Sequence, residues 1–586
     1  MQLRNFIPDI DKNYFSRICI NSSNVKKNDI FFAIKGNKYD GNKFINIALK
    51  KGAKIIISEK KKKIKKEGII FVKTSKIRKL LAETCYSFLK KKPKNLVAVT
   101  GTNGKSSIAD FYYQILNLNS KKVASIGTLG VRYKNKKKKL NNTTLDPINL
   151  CKTLVNLRHE KINHIIMEAS SHGLQQNRLD GLMFDTSIFS NLSHDHLDYH
   201  KNMRNYLKTK LYLFEKLTKK KGHIITDASI PQSKEIKKIS NKKKINLNLI
   251  FDNKKGIELI SHKFKDEKQI LKIRFKNISY TFEFNLLGKI QIKNLLMAVL
   301  AAHKSGIKFE KIIDVIKKIK PVEGRLEKIG IIKNKSKVIL DYAHTPDALE
   351  LALLNLKQQF PNNKINLVFG CGGERDFKKR ALMGRIAEKY SNRVYLTDDN
   401  PRNENPKKIR IEIKKGFRKI KVNEISNRKK AIFQAVSDLK TGELLLVAGK
   451  GHEKFQDYGK KKLFFSDKEI ILRSIKSKNN NLSKNLKLNI INEEAKRNLS
   501  NQIFIKKISI DSRSIKKNDV FCAIKGKKVD GNIFVSEAFK KKSSLAIVNK
   551  FNNKHSLLKQ VKVKNSLNFL TKCSSIFRQN INAKII

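Results

Sequence analysis

Between Leu96 and Leu118 the chain reads LVAVTGTNGKSSIADFYYQILNL, an apolar strand, then a glycine-bearing turn, then a helical period. That order commits the backbone to a strand feeding a helix N-terminus, the crossover unit of a parallel sheet. In Gly101-Thr102-Asn103-Gly104-Lys105-Ser106-Ser107 the glycines let backbone N–H groups approach phosphate oxygens, and the helix N-terminus favours an anion. Lys105 can reach the outer phosphates and Ser106 can offer a hydroxyl to Mg²⁺. The general phosphate-loop pattern has a glycine where Val99 stands, so the match is incomplete. The strand-then-polar rhythm recurs as far as Ile475, in HIIMEAS, SIFSNLS, INLVFGCGG, RVYLTDDN and LLLVAGKG. Strands alternating with helices predict doubly wound α/β layers, whose ligands sit at the carboxyl ends of the strands.

Self-comparison exposes a repeat at an offset of 490: KKNDIFFAIKGNKYDGN (Lys26 to Asn42) returns as KKNDVFCAIKGKKVDGN (Lys516 to Asn532), with 13 of 17 positions identical. A period this long is no solenoid; a small domain occurs twice. At the same offset the second copy would need its phosphate loop near position 591, beyond Ile586, so the second copy is expected to carry no catalysis. The Lys/Asn/Ser-rich stretch after Ser477 shows no sustained apolar period and reads as a linker. The expected domains are 1–90, 91–320, 321–476, a linker at 477–502, and the repeat at 503–586.

With 586 residues, 40% of them apolar, the chain is long enough for three or four packed domains. Lys plus Arg number 127 against 50 Asp plus Glu, a formal net charge of +77, which first suggests a nucleic-acid binder. Yet 21 are Arg and 106 are Lys, and Arg carries the rigid fork suited to base edges and bidentate phosphates. The lysine runs therefore read as solvated faces, with no specific nucleic-acid partner. Six widely spaced cysteines, without C-x-x-C, read as reduced and mostly buried. MQLRNFIPDIDKNYF has no apolar h-region, and no apolar run approaches the ~20 residues of a membrane span, so a cytoplasmic protein is expected.

Other strand ends carry chemistry as well. Glu168-Ala169-Ser170-Ser171-His172 follows HIIM, and Asn191 to His200 reads NLSHDHLDYH; a carboxylate and imidazoles beside a phosphate loop can hold the metal that a nucleotide needs. Asp341-Tyr342-Ala343-His344, CGGERD with Arg375, DDNPR with Arg402, and GKGHE with Glu453 each follow an apolar strand. Two arginines that can grip carboxylates and a glutamate that can hold an ammonium predict an amino-acid substrate carrying charges of both signs.

The ordered set GTNGKSS, EASSHGL, NLSHDHLDYH, YAHTPDAL, FGCGGERD, DDNPR and VAGKGHE resembles the Mur ligase family, ATP-dependent amide-forming enzymes of peptidoglycan precursor synthesis, over about Ile18 to Ile475. The resemblance implies a small N-terminal α/β domain, a central P-loop ATPase domain and a C-terminal Rossmann-like domain. It implies that Gly101 to Ser107 bind ATP, that Ser106, Glu168 and His196 hold Mg²⁺, and that Lys210 carries a CO₂-derived carbamate. Asn294 and Arg325 match positions near the nucleotide, and Asp341 and His344 the interdomain catalytic region. A UDP-linked muramyl dipeptide would meet Ile20, Ser22, Asn37, Lys38 and Tyr39, then Asn142, Thr143, Thr144, Ser170, Gln176 and Arg178. The amino-acid pocket would be Arg375, Asp399, Asn400, Pro401, Arg402, Gly449 and Glu453, and Asp-Asn-Pro-Arg is the family's signature for meso-diaminopimelate. The implied reaction passes through an acyl phosphate on the D-glutamate side chain, in a protein expected to be a monomer.

Two departures stand out. Asn21-Ser22-Ser23 replaces the family's Asp-Ser-Arg, whereas the second copy keeps Asp511-Ser512-Arg513 and resembles the N-terminal domain of the D-alanyl-D-alanine-adding Mur ligase, the alternative being a duplication of the chain's own first domain. The rivals are a folylpolyglutamate synthase-like ligase, which should lack the first domain and the Asp-Asn-Pro-Arg loop, and a basic binding protein descended from a ligase. The second rival predicts lost catalytic residues, yet Lys105, Glu168, His196, Lys210 and Asp341 are present.

Overall fold

The computed structural model describes residues 15–579 apart from 37–38, 61–67, 90–92, 141, 253–255, 266, 375, 420–421, 496–498, 500–502, 504 and 527. Asn37, Lys38 and Arg375, each expected at a substrate contact, therefore lie outside the described residues.

The N-terminal sheet takes its four strands in chain order, Ile18–Cys19, Ile30–Ala33, Ile55–Ser58 and Ile70–Lys73, all parallel. The second and third are buried throughout, as continuous apolar runs demand when both faces of a parallel sheet are covered. One face packs on Ile77–Ser87 and through it on Pro147–His159 of the next domain; the other packs on Ile45–Lys50.

The central sheet is built around the parallel strands Val123–Gly127, His164–Glu168, Asn95–Thr100, Phe184–Phe189, Thr218–Asp227 and Asn246–Ile250, in that spatial order. Gly256–Lys265 joins one edge parallel to Asn246–Ile250, and Lys268–Phe275 and Ile278–Phe284 follow it antiparallel; Gly130–Tyr133 with Lys136–Lys138 extend the other edge antiparallel. The phosphate-loop helix Lys105–Leu118 packs on Lys289–Lys304, whose apolar face is wholly buried.

The third sheet runs Glu327–Ile331, Lys337–Leu340, Leu444–Val447, Ile365–Phe369, Arg393–Leu396, Asn423–Glu424; only the first of these pairs antiparallel. Its carboxyl edge carries the DYAHTP, CGGERD, DDNPR and GKGHE loops. Pro346–Gln359 starts sharply because Thr345 accepts from Ala348 N–H and Pro346 sits at the first turn, which pins the loop before it. Gly324 (φ +66°) approaches the GKGHE loop so closely that a Cβ there would lie 2.5 Å from His452 N; only glycine fits.

The repeat has the same topology: Ile508–Ser509, Val520–Cys522, Leu545–Val548 and Gln560–Lys562, parallel and in chain order. Small contacts recur at the 490 offset. Lys51 Nζ donates to Ser23 O (2.6 Å) and Lys541 Nζ to Arg513 O (2.9 Å), while Asn21 and Asp511 each cap the following turn.

The expected linker is a correction. One helix, Asp467–Ala495, runs through most of it. Ile470, Ile471, Ile475 and Leu482 pack on the third sheet, whereas Leu488, Ile490 and Ile491 enter the core of the repeat beside Cys522 and Ile547. Because one half of the helix serves one body and the other half another, no single apolar stripe persists along it, so the periodicity looks absent. A buried bidentate pair anchors its first turn: Arg428 donates to Asp467 at 2.8 and 2.7 Å and to Ala448 O at 2.8 Å.

Ile491→Ala is expected to cost the repeat about 2–5 kcal/mol while leaving the melting of the preceding domains unchanged. Hydrogen exchange resolved by region checks this; equal loss of protection in both halves would show that the helix does not divide its packing as described.

Candidate active site

Strand ends of the central and third sheets face one cavity of about 430 Å³. It collects Gly101 to Ser107, Thr143, Glu168, Ser170, His196, Lys210 and Asn294 from one side. From the other come Arg325, Asp341, His344, Asp399, Asn400, Arg402, Gly449 and Glu453.

The phosphate loop is held open by its backbone. Gly101 (φ +143°) and Gly104 (φ +88°) adopt conformations that other residues avoid, and a Cβ on Gly104 would lie 2.4 Å from Asn294 Oδ1. Lys105 Nζ donates to Gly101 O (3.0 Å) and Thr102 O (2.7 Å), and burial lowers its pKa. Gln291, which sequence reasoning missed, accepts from Asn294 Nδ2 (3.1 Å) and donates to Arg325 O (3.3 Å), so it ties the helix Lys289–Lys304 to the interdomain crossing.

The buried Glu168 carboxylate accepts from Ser106 Oγ (3.0 Å), Thr128 N (2.8 Å) and Thr128 Oγ1 (3.1 Å). His196, at φ +54°, stacks edge-on against His172 at 4.9 Å. Burial above all pushes its pKa down to about 4, so at neutral pH the imidazole keeps a lone pair for a metal. Asp195 stays below the usual carboxylate range: burial opposes its charge, but His196, His344, Lys105 and Lys379 outweigh that. Lys210 is buried, donates to Gly101 O (2.7 Å) and lies 4.2 Å over the Tyr206 ring. Burial, reinforced by Lys105, drives its pKa well below that of an ordinary lysine.

At the crossing between sheets, Asp341 accepts from Leu326 N and Ala343 N (2.6 and 2.8 Å), and burial raises its pKa against the pull of Arg325. Arg325 lies 4.3 Å over the Tyr342 ring, and its Nη1 is buried without a hydrogen-bond partner among the described residues, a cation suited to a phosphate. His344 Nδ1 donates to Tyr342 O (2.8 Å); burial lowers its pKa. On the third-sheet side of the cavity, Glu453 accepts from Asn400 Nδ2 (3.0 Å), Lys450 Nζ (3.1 Å) and Tyr342 OH (3.2 Å). Burial works against its charge, yet Lys450 and these bonds hold its pKa below the usual value. Arg402 (φ +52°) donates to Gly373 O at 2.6 Å, and its neighbour Pro401 is buried.

Beside the cavity, Arg178 donates to Gln176 Oε1 (2.8 Å) and to Thr144 O, and Thr144 Oγ1 bonds Glu168 O (2.8 Å) and Ser170 Oγ (3.0 Å). Asn142 is exposed nearby in sequence. Ile20, the buried Ser22 and the exposed Tyr39 are not brought into the cavity; Ile20 lines a separate cleft with Arg17, Lys26, Lys51 and Lys152. Tyr342 and Lys450 were legible only as letters inside YAHTP and GKGHE; nothing in their spacing marked them.

A family model described as Mur ligase middle domain matches residues 99–302 and one described as Mur ligase, glutamate ligase domain matches 324–451. A third, Mur ligase family, catalytic domain, matches both 15–88 and 504–577. The UDP-N-acetylmuramoyl-L-alanyl-D-glutamate--2,6-diaminopimelate ligase of Rickettsia montanensis is 43% identical over 465 residues, 78% of this chain and 95% of its own. That of Wigglesworthia glossinidia brevipalpis is 39% identical over 485 residues, 79% and 95%. A solved structure of such a ligase superposes with a TM-score of 0.60 at 29% identity, covering 81% of this chain and 99% of that one. The MurF ligase from Thermotoga maritima in complex with ADP shares the fold, with a TM-score of 0.56 at 17% identity, covering 80% and 100%. Fold and site together define an ATP-dependent ligase that forms amide bonds. The chain belongs to the Mur ligase family, as three ligase domains followed by a second N-terminal-type domain.

Gly104→Ala would force a methyl onto Asn294 at a strained φ, so a loss of about 1–3 kcal/mol and a raised KM for ATP are expected. Thermal melts and ATP titration check both; an unaffected KM would separate Gly104 from nucleotide binding.

Proposed function

We propose that this chain joins meso-2,6-diaminopimelate to the D-glutamate of UDP-N-acetylmuramoyl-L-alanyl-D-glutamate, converting ATP to ADP and phosphate. The observation that carries the reading is the single cavity in which a phosphate loop on one sheet faces Asn400, Arg402 and Glu453 on another. A carboxylate is a poor electrophile and needs activation. Its oxygen attacks the γ-phosphorus, the bond to ADP breaks, and an acyl phosphate forms. Lys105 and Arg325 offset the charge that builds on the phosphoryl oxygens. The diaminopimelate amine then attacks the acyl carbon and loses a proton, and the tetrahedral intermediate expels phosphate. Two facing sheets bring amine and acyl group together and exclude water.

Thr144, Ser170, Gln176 and Arg178 form a connected polar cluster suited to the peptide part of the muramyl substrate, and Ile20, Ser22 and Tyr39 on the first domain would reach its nucleotide end. Arg402, with Arg375, suits the second carboxylate that distinguishes diaminopimelate from lysine.

Among the described residues no group of three or more His, Cys, Asp or Glu is clustered for a metal. Magnesium needs no such cage, since it binds through one or two carboxylates plus substrate phosphates. The buried Glu168 carboxylate beside Ser106 fits that role, together with the neutral His196. Bound there, the ion would supply positive charge to the phosphate oxygens. The depressed pKa of Lys210 supports carbamylation: an unprotonated amine adds to CO₂, releases a proton and becomes an anion where a cation would repel the metal. The reading is of a cytoplasmic monomer; among the described residues no helix is long and apolar enough to cross a membrane.

Phosphate release is expected only when the muramyl dipeptide and meso-diaminopimelate are both present; turnover with lysine equal to that with diaminopimelate would overturn the pocket assignment. Lys105→Ala should lower kcat on the order of a thousandfold. Ligation should fall when CO₂ and bicarbonate are stripped, and should also fall as pH drops through the lowered pKa of Lys210, because protonation removes the nucleophile. Activity indifferent to bicarbonate would remove the carbamate from this account.

A further inference from the structure

Lys450 belongs to none of the roles assigned above, yet its side chain is fully buried at the edge of the amino-acid pocket. Its ammonium donates to Asn400 Oδ1 (2.9 Å), Glu453 Oε2 (3.1 Å) and Phe455 O (2.6 Å). An ammonium has three hydrogens, and three acceptors take them. The group is therefore a tie between pieces of the protein and has no hydrogen left for a ligand.

What it ties together is the whole pocket wall. Asn400 Oδ1 also accepts from Asp457 N (2.9 Å), and Asp457 O accepts from Arg402 N (2.9 Å). Asp457 lies in the hairpin Phe455–Asp457 and Lys462–Phe464. Through Lys450, the GKGHE loop, the Asp399 to Arg402 loop and this hairpin share one bonded centre.

The same bonds orient Glu453. Its Oε2 takes both Lys450 Nζ and Asn400 Nδ2 (3.0 Å), which fills that oxygen's two lone-pair directions, whereas Oε1 has, among the described residues, only the Tyr342 hydroxyl at 3.2 Å. Oε1 is thus the oxygen with capacity for a ligand ammonium.

Charge adds a second consequence. Meso-diaminopimelate carries two carboxylates and two ammonium groups and is neutral overall near pH 7; lysine carries a net charge of +1. A buried cation beside the pocket disfavours the ligand with surplus positive charge, and at short range away from water that bias is appreciable.

We propose that Lys450 is a positioning and specificity-determining residue of the amino-acid pocket, which fixes the Glu453 oxygen that meets the ammonium and biases the site against amino acids of net positive charge. The inference rests on the diaminopimelate reading above.

The test measures kcat/KM for meso-diaminopimelate and for L-lysine, and KM for ATP, in the full chain and in Lys450→Met and Lys450→Arg. Absence of diaminopimelate ligation by the unsubstituted chain would defeat the proposed function itself, separately from this inference. With that activity present, Lys450→Met is expected to lower kcat/KM for diaminopimelate at least tenfold, chiefly through KM. The value for lysine should fall less, so that the ratio between the two narrows at least fivefold, and KM for ATP should stay within twofold. Lys450→Arg, which keeps the charge, should keep the ratio nearer to that of the unsubstituted chain. An equal fall for both amino acids, a parallel rise in KM for ATP, or no change at all would each overturn the proposal. Should Lys450→Met fail to fold, Lys450→Gln, which keeps a hydrogen-bonding side chain without charge, is read by the same ratios.

Discussion

The buried carboxylate of Asp341 holds the point where the chain passes from the central sheet to the third. It accepts from the backbone on both sides of that passage, at Leu326 and Ala343, and lies close enough to Arg325 to feel its charge. Its own N–H bonds Val447 O on the neighbouring strand, so the crossing is anchored to the sheet that carries the GKGHE loop. Arg325, Tyr342 and His344 all extend from this knot. Loss of the carboxylate would release two buried N–H groups and leave an arginine short of its counter-charge, an expensive outcome in a desolvated place.

From that knot the electrostatics of the site follow. The chain carries 106 lysines, yet among the described residues just two, Lys210 and Lys450, are 1% exposed or less, and both line or border the candidate cavity. They are used in opposite ways. Lys210 has carbonyl and aromatic neighbours and another lysine near it, which favours the neutral amine. Lys450 gives its three hydrogens to Glu453 and two further oxygen acceptors and so serves as a tie between loops. Burial alone does not decide a lysine's chemistry; the partners that replace water do.

The repeat shows how one sheet can be completed by different partners. In the first copy the terminal helix Ile77–Ser87 meets Pro147–His159 of the central domain. In the second, Ser566–Gln579 meets the far half of Asp467–Ala495 instead. A parallel sheet needs both faces covered, and among the described residues the long helix meets that need on one face of the second copy.

Much of this was legible in the chain alone. A phosphate loop, polar strand ends in sequence, and a repeat at a fixed offset are local patterns, and local patterns survive without tertiary context; α/β architecture and the family resemblance followed from them. The tertiary structure decided which of those residues share a space. It set Asn400, Arg402 and Glu453 opposite Lys105 and Glu168, and left Ile20 on a separate cleft. It also turned an apparent linker into a divided helix. Lys450 was invisible among so many lysines because burial and three bonded partners, spread from Asn400 to Phe455, are properties of packing and leave no period or spacing in the sequence.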